Sequence, residues 1–258
     1  MPKKEFGQHF LTDPRILRRI VDFAQVGAAD TVVEIGPGQG TLTRELAGRV
    51  GRVVAVEVDR DLIEPLRKTM PANVEVLEGD ALELDFRTLA AAPYAIVANL
   101  PYNIATPLLD RFVRARLHIS GVTVMLQKEV ADRILAPPGT KAYGPLTVGI
   151  RHYATVRSGF VVRPGAFRPP PRVHSRIVRL EWRENVPDAP DFIAFVGRSF
   201  SSRRKKLINN LASMFPARHR RDLEASLEDV GLSPDVRPEN LTPGQFFALW
   251  QSLEGGAR

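Results

Sequence analysis

The sequence of 258 residues contains no cysteine. Disulfide bonds, cysteine-ligated zinc and thiol nucleophiles are therefore excluded, and a reducing cytoplasm is the expected location. No uninterrupted apolar run approaches the length of a membrane span, so we expect no membrane partner. The N-terminus, Met-Pro-Lys-Lys-Glu, lacks the apolar segment of a signal peptide. The sequence has no internal repeat and no low-complexity segment, and we expect no metal site.

The charge of the chain is strongly basic. Hydrophobic residues make up 44% of the sequence, enough for one large core or one core plus a small second domain. The formal net charge of +7 favours a polyanionic partner. Between Arg151 and Arg183, eight arginines accompany a single acid, and a second basic run covers Arg203 to Lys206. Either run could be a solvated face, but two runs flanking one candidate site favour contacts with RNA phosphates.

A predicted strand opens into a glycine-rich turn near the N-terminus. Thr31 to Ile35 is predicted to be a buried strand, followed by Gly36-Pro-Gly-Gln-Gly40 and a helix from Thr41 to Ala47. Glycine is needed where the backbone turns sharply and approaches a ligand with no Cβ in the way. Dinucleotide sites place a pyrophosphate at such a helix start, but here an acid, Glu34, precedes the turn. A carboxylate suits a cationic ligand better, and S-adenosylmethionine carries both a sulfonium and an α-ammonium group.

The next two predicted strands also end in acids. The strand from Arg52 ends at Glu57, which lies 21 residues beyond Gly36 and within reach of ribose hydroxyls. A third strand, Val74 to Glu78, is followed by Gly79-Asp80-Ala81, where a carboxylate can accept a hydrogen bond from an adenine amino group. The glycine turn and these acids together predict a site for a nucleoside-bearing cofactor. The alternative is that the acids only cap adjacent helices.

The stretch Asn99-Leu-Pro-Tyr102 follows another predicted buried strand, Tyr94 to Ala98. Pro101 fixes its own φ and disfavours the helical region for Leu100. The Asn99 amide, the Leu100 carbonyl and the Tyr102 ring are therefore presented at the carboxyl edge of the sheet, where open α/β sheets bind ligands. The amide oxygen and the carbonyl offer two acceptors for an exocyclic amine, and the ring offers a flat surface for a base. This stretch predicts a site that holds and methylates an adenine amino group.

The rest of the chain is read from its periodicity and its turn residues. A basic arm up to Leu11, in which we expect His9 to face the ligand, leads to a helix that Thr12 or Asp13 caps. The loop from Phe167 to Ser175 is stiffened by prolines, and we expect the Phe167 ring to be exposed and to stack on a base. The other predicted elements are helices from Pro107 to Ala115 and from Gln127, strands at Gly121 to Leu126, Leu146 to Tyr153, Val156 to Val161 and Arg176 to Trp182, a linker at Asn185 to Asp191, and four helices after it.

These motifs, in this order and over essentially the whole chain, resemble the KsgA-type ribosomal RNA adenine dimethyltransferases. The matching strings are Gly7-Gln-His-Phe-Leu11, Glu34-Ile-Gly-Pro-Gly-Gln-Gly40, Asn99-Leu-Pro-Tyr102, Gln127-Lys-Glu-Val130, Phe167-Arg-Pro-Pro-Pro171 and Asn240-Leu-Thr-Pro243. The resemblance implies an α/β fold: a class I, Rossmann-like methyltransferase domain with a seven-stranded, mostly parallel sheet over residues 1–184. It also implies a small all-α C-terminal domain over residues 185–258.

The resemblance also implies an activity. The family transfers four methyl groups from S-adenosylmethionine, releasing S-adenosylhomocysteine, to two adjacent adenosines in a hairpin near the 3′ end of small-subunit rRNA. The expected partner is the immature 30S subunit, and we expect the protein to act as a monomer.

The family's functional residues carry over to named positions. The expected cofactor-binding residues are His9, Leu11, Gly36, Gly38, Glu57, Asp80, Ala81 and Asn99. The target adenine is expected to be held by Asn99, Leu100, Tyr102 and Phe167. Apart from the resemblance, the basic character of the chain leads us to expect RNA contacts at Lys128, Arg168, Arg172, Arg203, Arg204, Lys205 and Lys206. Many family members have asparagine where His9 stands, although an imidazole can still donate to the methionine carboxylate.

Three alternative functions compete with this one. A sister enzyme that dimethylates a large-subunit rRNA adenosine and confers macrolide resistance would have almost the same site, but the Phe167 loop and the Asn99 stretch favour the small-subunit enzyme. A non-enzymatic assembly or transcription factor would need neither the donor site nor the Asn99 stretch. An amino-methylating DNA enzyme typically carries an acid or asparagine before Pro-Pro-Tyr or Pro-Pro-Trp, whereas this chain has Leu-Pro-Tyr.

Overall fold

The structure is a computed structural model that describes residues 8–91, 93–202 and 205–255. The chain divides into two compact units, one of residues 1–131 and 155–182 and the other of residues 132–154 and 183–258. The domain boundary predicted from the sequence, between residues 184 and 185, instead assigns residues 132–154 to the first domain. The predicted boundary between two independently folding domains stays a prediction. None of the described helices is both long enough and apolar enough to cross a membrane.

The regular elements are labelled in chain order. The strands are β1 (Phe10–Leu11), β2 (Thr31–Ile35), β3 (Arg52–Glu57), β4 (Val74–Glu78), β5 (Tyr94–Asn99), β6 (Ile119–Gln127), β7 (Ala154–Val162), β8 (Phe167–Arg168) and β9 (Ser175–Trp182). The helices are α1 (Pro14–Ala24), α2 (Thr41–Ala47), α3 (Arg60–Thr69), α4 (Ala105–Arg114), α5 (Lys128–Leu135), α6 (Pro145–Tyr153), α7 (Pro190–Ser199), α8 (Leu207–Met214), α9 (Arg220–Asp229) and α10 (Pro243–Gly255). Short 3-10 helices cover Pro164–Ala166 and Pro238–Asn240.

A seven-stranded sheet in the order β4-β3-β2-β5-β6-β9-β7 forms the centre of the first unit. Strands β4, β3, β2, β5 and β6 pair in parallel, and β9 pairs antiparallel with β6. The inner strands are nearly continuous runs of valine, isoleucine and alanine, as expected for a parallel sheet covered on both faces; Val33, Val54 and Ile96, for example, are fully buried. The Rossmann-like α/β architecture is confirmed.

The strand order reverses at β2, which adjoins β3 on one side and β5 on the other. In such sheets the crevice at the carboxyl ends of the strands on either side of the reversal is the place for a ligand. Here those ends carry Glu34, Glu57 and Asn99, so the fold brings the polar strand tips together.

The second unit is helical. The buried Tyr143 and Tyr153 hydroxyls donate to the Leu241 and Ala189 carbonyls at 2.7 and 3.0 Å. Around His152, the rings of Phe192 and Phe247 pack with centroid distances of 4.5 and 4.4 Å. The predicted helical character of the C-terminal part is confirmed.

Two predictions of local structure are wrong. Leu146 to Tyr153 was expected to be a strand, but it belongs to helix α6, which begins at Pro145. Most of α6 is buried, so it has no clear exposed face, and periodicity cannot distinguish such a helix from a buried strand. The expectation that the Phe167 ring is exposed is also wrong: it is fully buried in the core with Leu11 and Ile177. Strand β1 pairs with β8, and this long-range pairing supplies the neighbours that the local sequence does not show.

Candidate active site

A cleft with a cavity of about 210 Å³ opens at the carboxyl ends of the central strands, within the first unit. It is lined by four segments, which are the N-terminal arm, the glycine turn with α2, the tips of β3 and β4, and the stretch after β5. Every predicted cofactor-binding residue lines it: His9, Leu11, Gly36, Gly38, Glu57, Asp80, Ala81 and Asn99. Of the four residues predicted to hold the adenine, Asn99, Leu100 and Tyr102 line the cleft and Phe167 does not.

The glycine turn has a backbone that only glycine adopts easily. Gly36 and Gly38 have φ values of +67° and +58°. A Cβ on Gly38 would lie 2.8 Å from the Phe10 ring, closer than any side chain tolerates. The turn is therefore built to let the backbone and the arm approach each other at the wall of the cleft.

Glu57 is held in place by backbone donors. Its Oε2 accepts from the Gly38 N–H at 3.0 Å, and its Oε1 accepts from the N–H groups of Val58 and Asp59 at 3.0 and 2.9 Å. Burial raises the pKa of this carboxyl, and these hydrogen bonds act in the opposite direction. A carboxylate offers about four lone-pair sites, so Glu57 keeps acceptor capacity for a hydroxyl in the cleft.

Glu34 is a buried acid that needs a partner. Its side chain is 1% exposed, and its Oε2 accepts no hydrogen bond within the described part of the chain. Burial raises the pKa of this carboxyl to about 8, and the nearby Glu57 charge acts in the same direction. Without a partner this carboxyl therefore keeps its proton at neutral pH, and its charged form is stable in the buried position only when it is paired. A cationic group entering the cleft would supply the missing partner, so the site fits a ligand that carries an ammonium.

Asp80 forms the far side of the cleft. Its Oδ1 accepts from the Leu82 N–H at 2.8 Å, which fixes the carboxylate. Ala81 beside it is buried. The remaining carboxylate oxygen can accept from a donor such as an amino group, as the sequence predicted.

Asn99 is oriented by the N-terminal arm. Its Nδ2 donates to the His9 carbonyl at 3.3 Å, and no donor among the described residues approaches its Oδ1. The amide nitrogen therefore points at the arm, and the amide oxygen is the group available to a ligand. Leu100 follows directly after the last residue of β5, so its carbonyl lies beyond the strand.

Tyr102 and His9 form a small aromatic wall. The Tyr102 hydroxyl hydrogen-bonds to the Ser175 Oγ at 2.6 Å, and burial raises the pKa of this phenol. The Tyr102 and His9 ring centroids lie 5.9 Å apart with an interplanar angle of 31°. His9 Nδ1 lies 2.8 Å from the Pro169 carbonyl. A carbonyl only accepts, so Nδ1 carries the proton, and the Nε2 of the neutral ring is an acceptor. Only the imidazolium form of His9 can then donate to a carboxylate in the cleft.

Sequence reasoning missed the residues that fix the arm. Asp59 caps helix α3 by accepting from the Asp61 N–H at 3.2 Å, and it also accepts from Gln8 Nε2 at 2.8 Å. The Thr41 hydroxyl donates to the Leu11 carbonyl at 2.8 Å. The string Gly7-Gln-His-Phe-Leu11 marked the arm as notable, but nothing local to it indicates which strand tips it crosses.

The predicted RNA contacts are spread over both units. Arg168 and Arg172 are exposed in the first unit, and Lys128 is half-buried there at the start of α5. Lys205 and Lys206 are exposed in the second unit, where Lys206 Nζ lies 2.5 Å from Asp235 Oδ1. Arg203 and Arg204 lie outside the described residues. Their contacts with RNA stay predictions.

Comparison with known proteins agrees with this geometry. A family model described as Ribosomal RNA adenine dimethylase matches residues 2–254. Ribosomal RNA small subunit methyltransferase A from Acidithiobacillus ferrooxidans is 42% identical over 269 residues, covering 99% of this chain and 96% of that protein. A crystal structure of a dimethyladenosine transferase from Plasmodium falciparum is similar with a TM-score of 0.82 and 26% identity, covering 96% of this chain and 98% of that one. The crystal structure of the 23S rRNA methyltransferase ErmE is similar with a TM-score of 0.72 and 29% sequence identity, covering 95% of this chain and 99% of that one. The chain described here belongs to the ribosomal RNA adenine dimethylase family.

Proposed function

We propose that this protein dimethylates the N6 amino groups of two adjacent adenosines in a hairpin loop near the 3′ end of small-subunit (16S) rRNA, with the immature 30S subunit as its substrate. Methyltransferases of this family use S-adenosylmethionine, and this chain is an enzyme of that kind. The small-subunit target is favoured over the large subunit because relatives named for the small subunit reach 42% identity, against 29% for the 23S enzyme. The monomeric state stays a prediction.

The observation that carries this proposal is the orientation of Asn99. The His9 carbonyl occupies the amide nitrogen, which leaves the amide oxygen available to a ligand, and the next residue, Leu100, also lines the cleft. Two neighbouring acceptors match an exocyclic amine, which has two N–H donors. A carbonyl group on a base, such as that of uracil, would meet two oxygens and be rejected.

The residues of the cleft fit S-adenosylmethionine. Glu34 would face its ammonium group, Glu57 its ribose hydroxyls and Asp80 its adenine amino group, while the glycine turn leaves room for it. When bound, this cofactor supplies a methyl group made electrophilic by its attachment to a sulfonium. The protein's own work is therefore to orient the two reactants and to exclude competing geometries.

The target nitrogen needs activation because its lone pair is delocalised into the adenine ring. Asn99 Oδ1 and the Leu100 carbonyl would accept the two amino hydrogens, draw the nitrogen toward tetrahedral geometry and direct its lone pair out of the ring plane. Tyr102 would stack on the base, a contact worth roughly 1–3 kcal/mol. This offsets the few kcal/mol needed to unstack an adenine, which is least in a loop.

No general base is needed for this chemistry. Once methylated, the nitrogen is acidic and loses its proton to water. A second transfer requires the same geometry with one fewer amino hydrogen, so one of the two acceptors is then sufficient. Stacking of the base by Phe167 stays a prediction that would require the buried ring to leave the core.

The proposal is tested by transfer of a radiolabelled methyl group from S-adenosylmethionine to under-methylated small subunits, with large subunits and DNA assayed in parallel. The labelled nucleoside is then identified after digestion. Dimethyladenosine in small-subunit rRNA alone is the expected result. Label in large-subunit rRNA would show instead that the protein is the resistance-type enzyme. Absence of label in every substrate, with cofactor still bound, would support the assembly-factor alternative.

A further inference from the structure

One face of helix α1 carries an unneutralised cluster of arginines. Arg15, Arg18 and Arg19 are exposed, and their i, i+3, i+4 spacing places them on the same side of the helix. No described acid forms an ion pair with any of them. The nearest acids in sequence are engaged elsewhere: Asp13 caps the helix through backbone N–H groups, and Asp22 pairs with Arg49 at 2.9 Å.

Two further arginines belong to the same surface. The Arg19 guanidinium lies 3.8 Å from the centroid of the Phe160 ring, which joins α1 to the end of β7. Just beyond β7, Arg163 and Arg168 are exposed, and neither has an acidic partner among the described residues. We call these five residues, Arg15, Arg18, Arg19, Arg163 and Arg168, the α1 arginine patch.

The patch is preorganised without being neutralised. Arg18 Nε donates to the Pro14 carbonyl at 3.3 Å, and Arg168 donates to the Gly165 and Phe167 carbonyls at 3.2 and 3.0 Å. Together with the Arg19–Phe160 contact, these hydrogen bonds hold three of the five guanidinium groups in position and leave their charge. The pattern differs from the opposite edge of the sheet, where Arg52 and Arg60 pair with acids at 2.5 and 2.7 Å. A planar, always-charged guanidinium is suited to phosphate oxygens.

The patch also borders the candidate active site. Arg168 lies directly opposite Phe10 in the β1–β8 pair, and Phe10 lines the cleft. The Thr12 N–H, just before α1, donates to the Ala166 carbonyl at 2.9 Å, which ties the start of the helix to the same segment. An RNA strand whose adenine enters the cleft must carry its phosphates past this rim.

We propose that the α1 arginine patch binds the sugar-phosphate backbone of the RNA strand that carries the target adenosines. This inference rests on the proposed function. It adds Arg15, Arg18 and Arg19 of α1, which lie outside the two basic runs of the sequence, to Arg168, which the sequence already predicts to contact RNA. Phosphate contacts fix register and carry no sequence information, so the patch positions the strand while the Asn99 stretch selects the base.

The test measures how binding to under-methylated small subunits depends on salt, at constant magnesium, for wild type and for R15Q/R18Q/R19Q. Three phosphate contacts to a single strand contribute roughly 2 to the slope of log affinity against log salt. Raising monovalent salt from 50 to 200 mM should therefore reduce the ratio of wild-type to variant affinity for the small subunit by about 20-fold. An unchanged slope in the variant would overturn the proposal.

Two matched variants separate local charge from other effects. R52Q/R60Q/R67Q removes the same charge where each arginine is ion-paired, and its slope should stay close to wild type. R15K/R18K/R19K keeps the charge and should keep the slope. If R52Q/R60Q/R67Q loses as much of the salt slope as R15Q/R18Q/R19Q, net charge alone matters. If R15K/R18K/R19K loses as much, the packing of the helix matters. Either result contradicts the proposal that the α1 arginine patch binds RNA phosphates. Wild-type methyl transfer, measured in the same preparations, shows separately whether the proposed function holds.

Discussion

Replacement of Asn99 by alanine tests the centre of the proposed mechanism because the side chain has two separable contacts. The Oδ1 is the proposed acceptor for the target amine, and the Nδ2 donates to the His9 carbonyl of the arm at 3.3 Å. Loss of one preorganised polar contact to a reacting group typically lowers turnover about 10²- to 10³-fold. Loss of one ordinary hydrogen bond is worth about 0.5–1.5 kcal/mol, so cofactor affinity should fall only about 2- to 10-fold.

The assay is single-turnover methyl transfer at saturating cofactor, with cofactor affinity measured separately by calorimetry. Gln8→Ala is the matched control, since it removes another tether of the same arm, the 2.8 Å bond to Asp59, and leaves the Asn99 oxygen in place. The control should weaken cofactor binding within the same range and lose far less turnover than Asn99→Ala. Turnover above a tenth of wild type in Asn99→Ala would refute the assigned role of the amide.

Three other substitutions address the cofactor wall, the buried acid and the aromatic surface. Gly38→Ala should lower the melting temperature, because a Cβ in this left-handed backbone costs about 1–2 kcal/mol and the Phe10 ring would also have to move. Gly165→Ala is the control: a Cβ there would meet no atom within 4 Å, so the melting temperature should not fall. Because the folded pKa of Glu34, about 8, exceeds its ordinary value of 4.5, the folded state retains a proton that the unfolded state loses, and stability should fall as pH rises between these values. In Glu34→Gln, the free energy of unfolding measured with urea should not decline over this pH range. The same pH dependence of stability in wild type and variant would contradict the raised pKa of Glu34. Tyr102→Phe should keep RNA binding while Tyr102→Ala weakens it, since stacking is worth roughly 1–3 kcal/mol; equal loss in both would exclude stacking as the role of the ring.

The polar strand tips were predictable because each rule that identifies them is local. A buried strand ends where its apolar run ends, so Glu34, Glu57 and Asn99 could be placed from their own neighbours. The parallel order of the sheet then brings these ends to one edge without further information. For this reason the lining of the cleft agrees closely with the predicted set.

The failures involve contacts between distant segments. Phe167 is buried because a two-residue strand from the arm pairs with it across more than 150 positions, and no pattern around Phe167 indicates that pairing. Leu146 to Tyr153 belongs to a helix against which α7 and α10 pack, so most of its residues are buried and its sequence has no clear amphipathic period. Burial from elsewhere in the chain decided both cases, and a local pattern contains no record of it.

The arm gives the two halves of the site a common support. Its Gln8 and Leu11 are bound to the Asp59 and Thr41 side of the cleft, where the cofactor is expected, and its His9 carbonyl orients Asn99 on the adenine side. These three arm residues thus connect the strand tips where the methyl donor is expected with the amide that is proposed to hold the acceptor. A change in the arm should therefore affect both sites at once. Asn99 lies where the two halves meet, which agrees with its place both among the expected cofactor-binding residues and among those expected to hold the adenine.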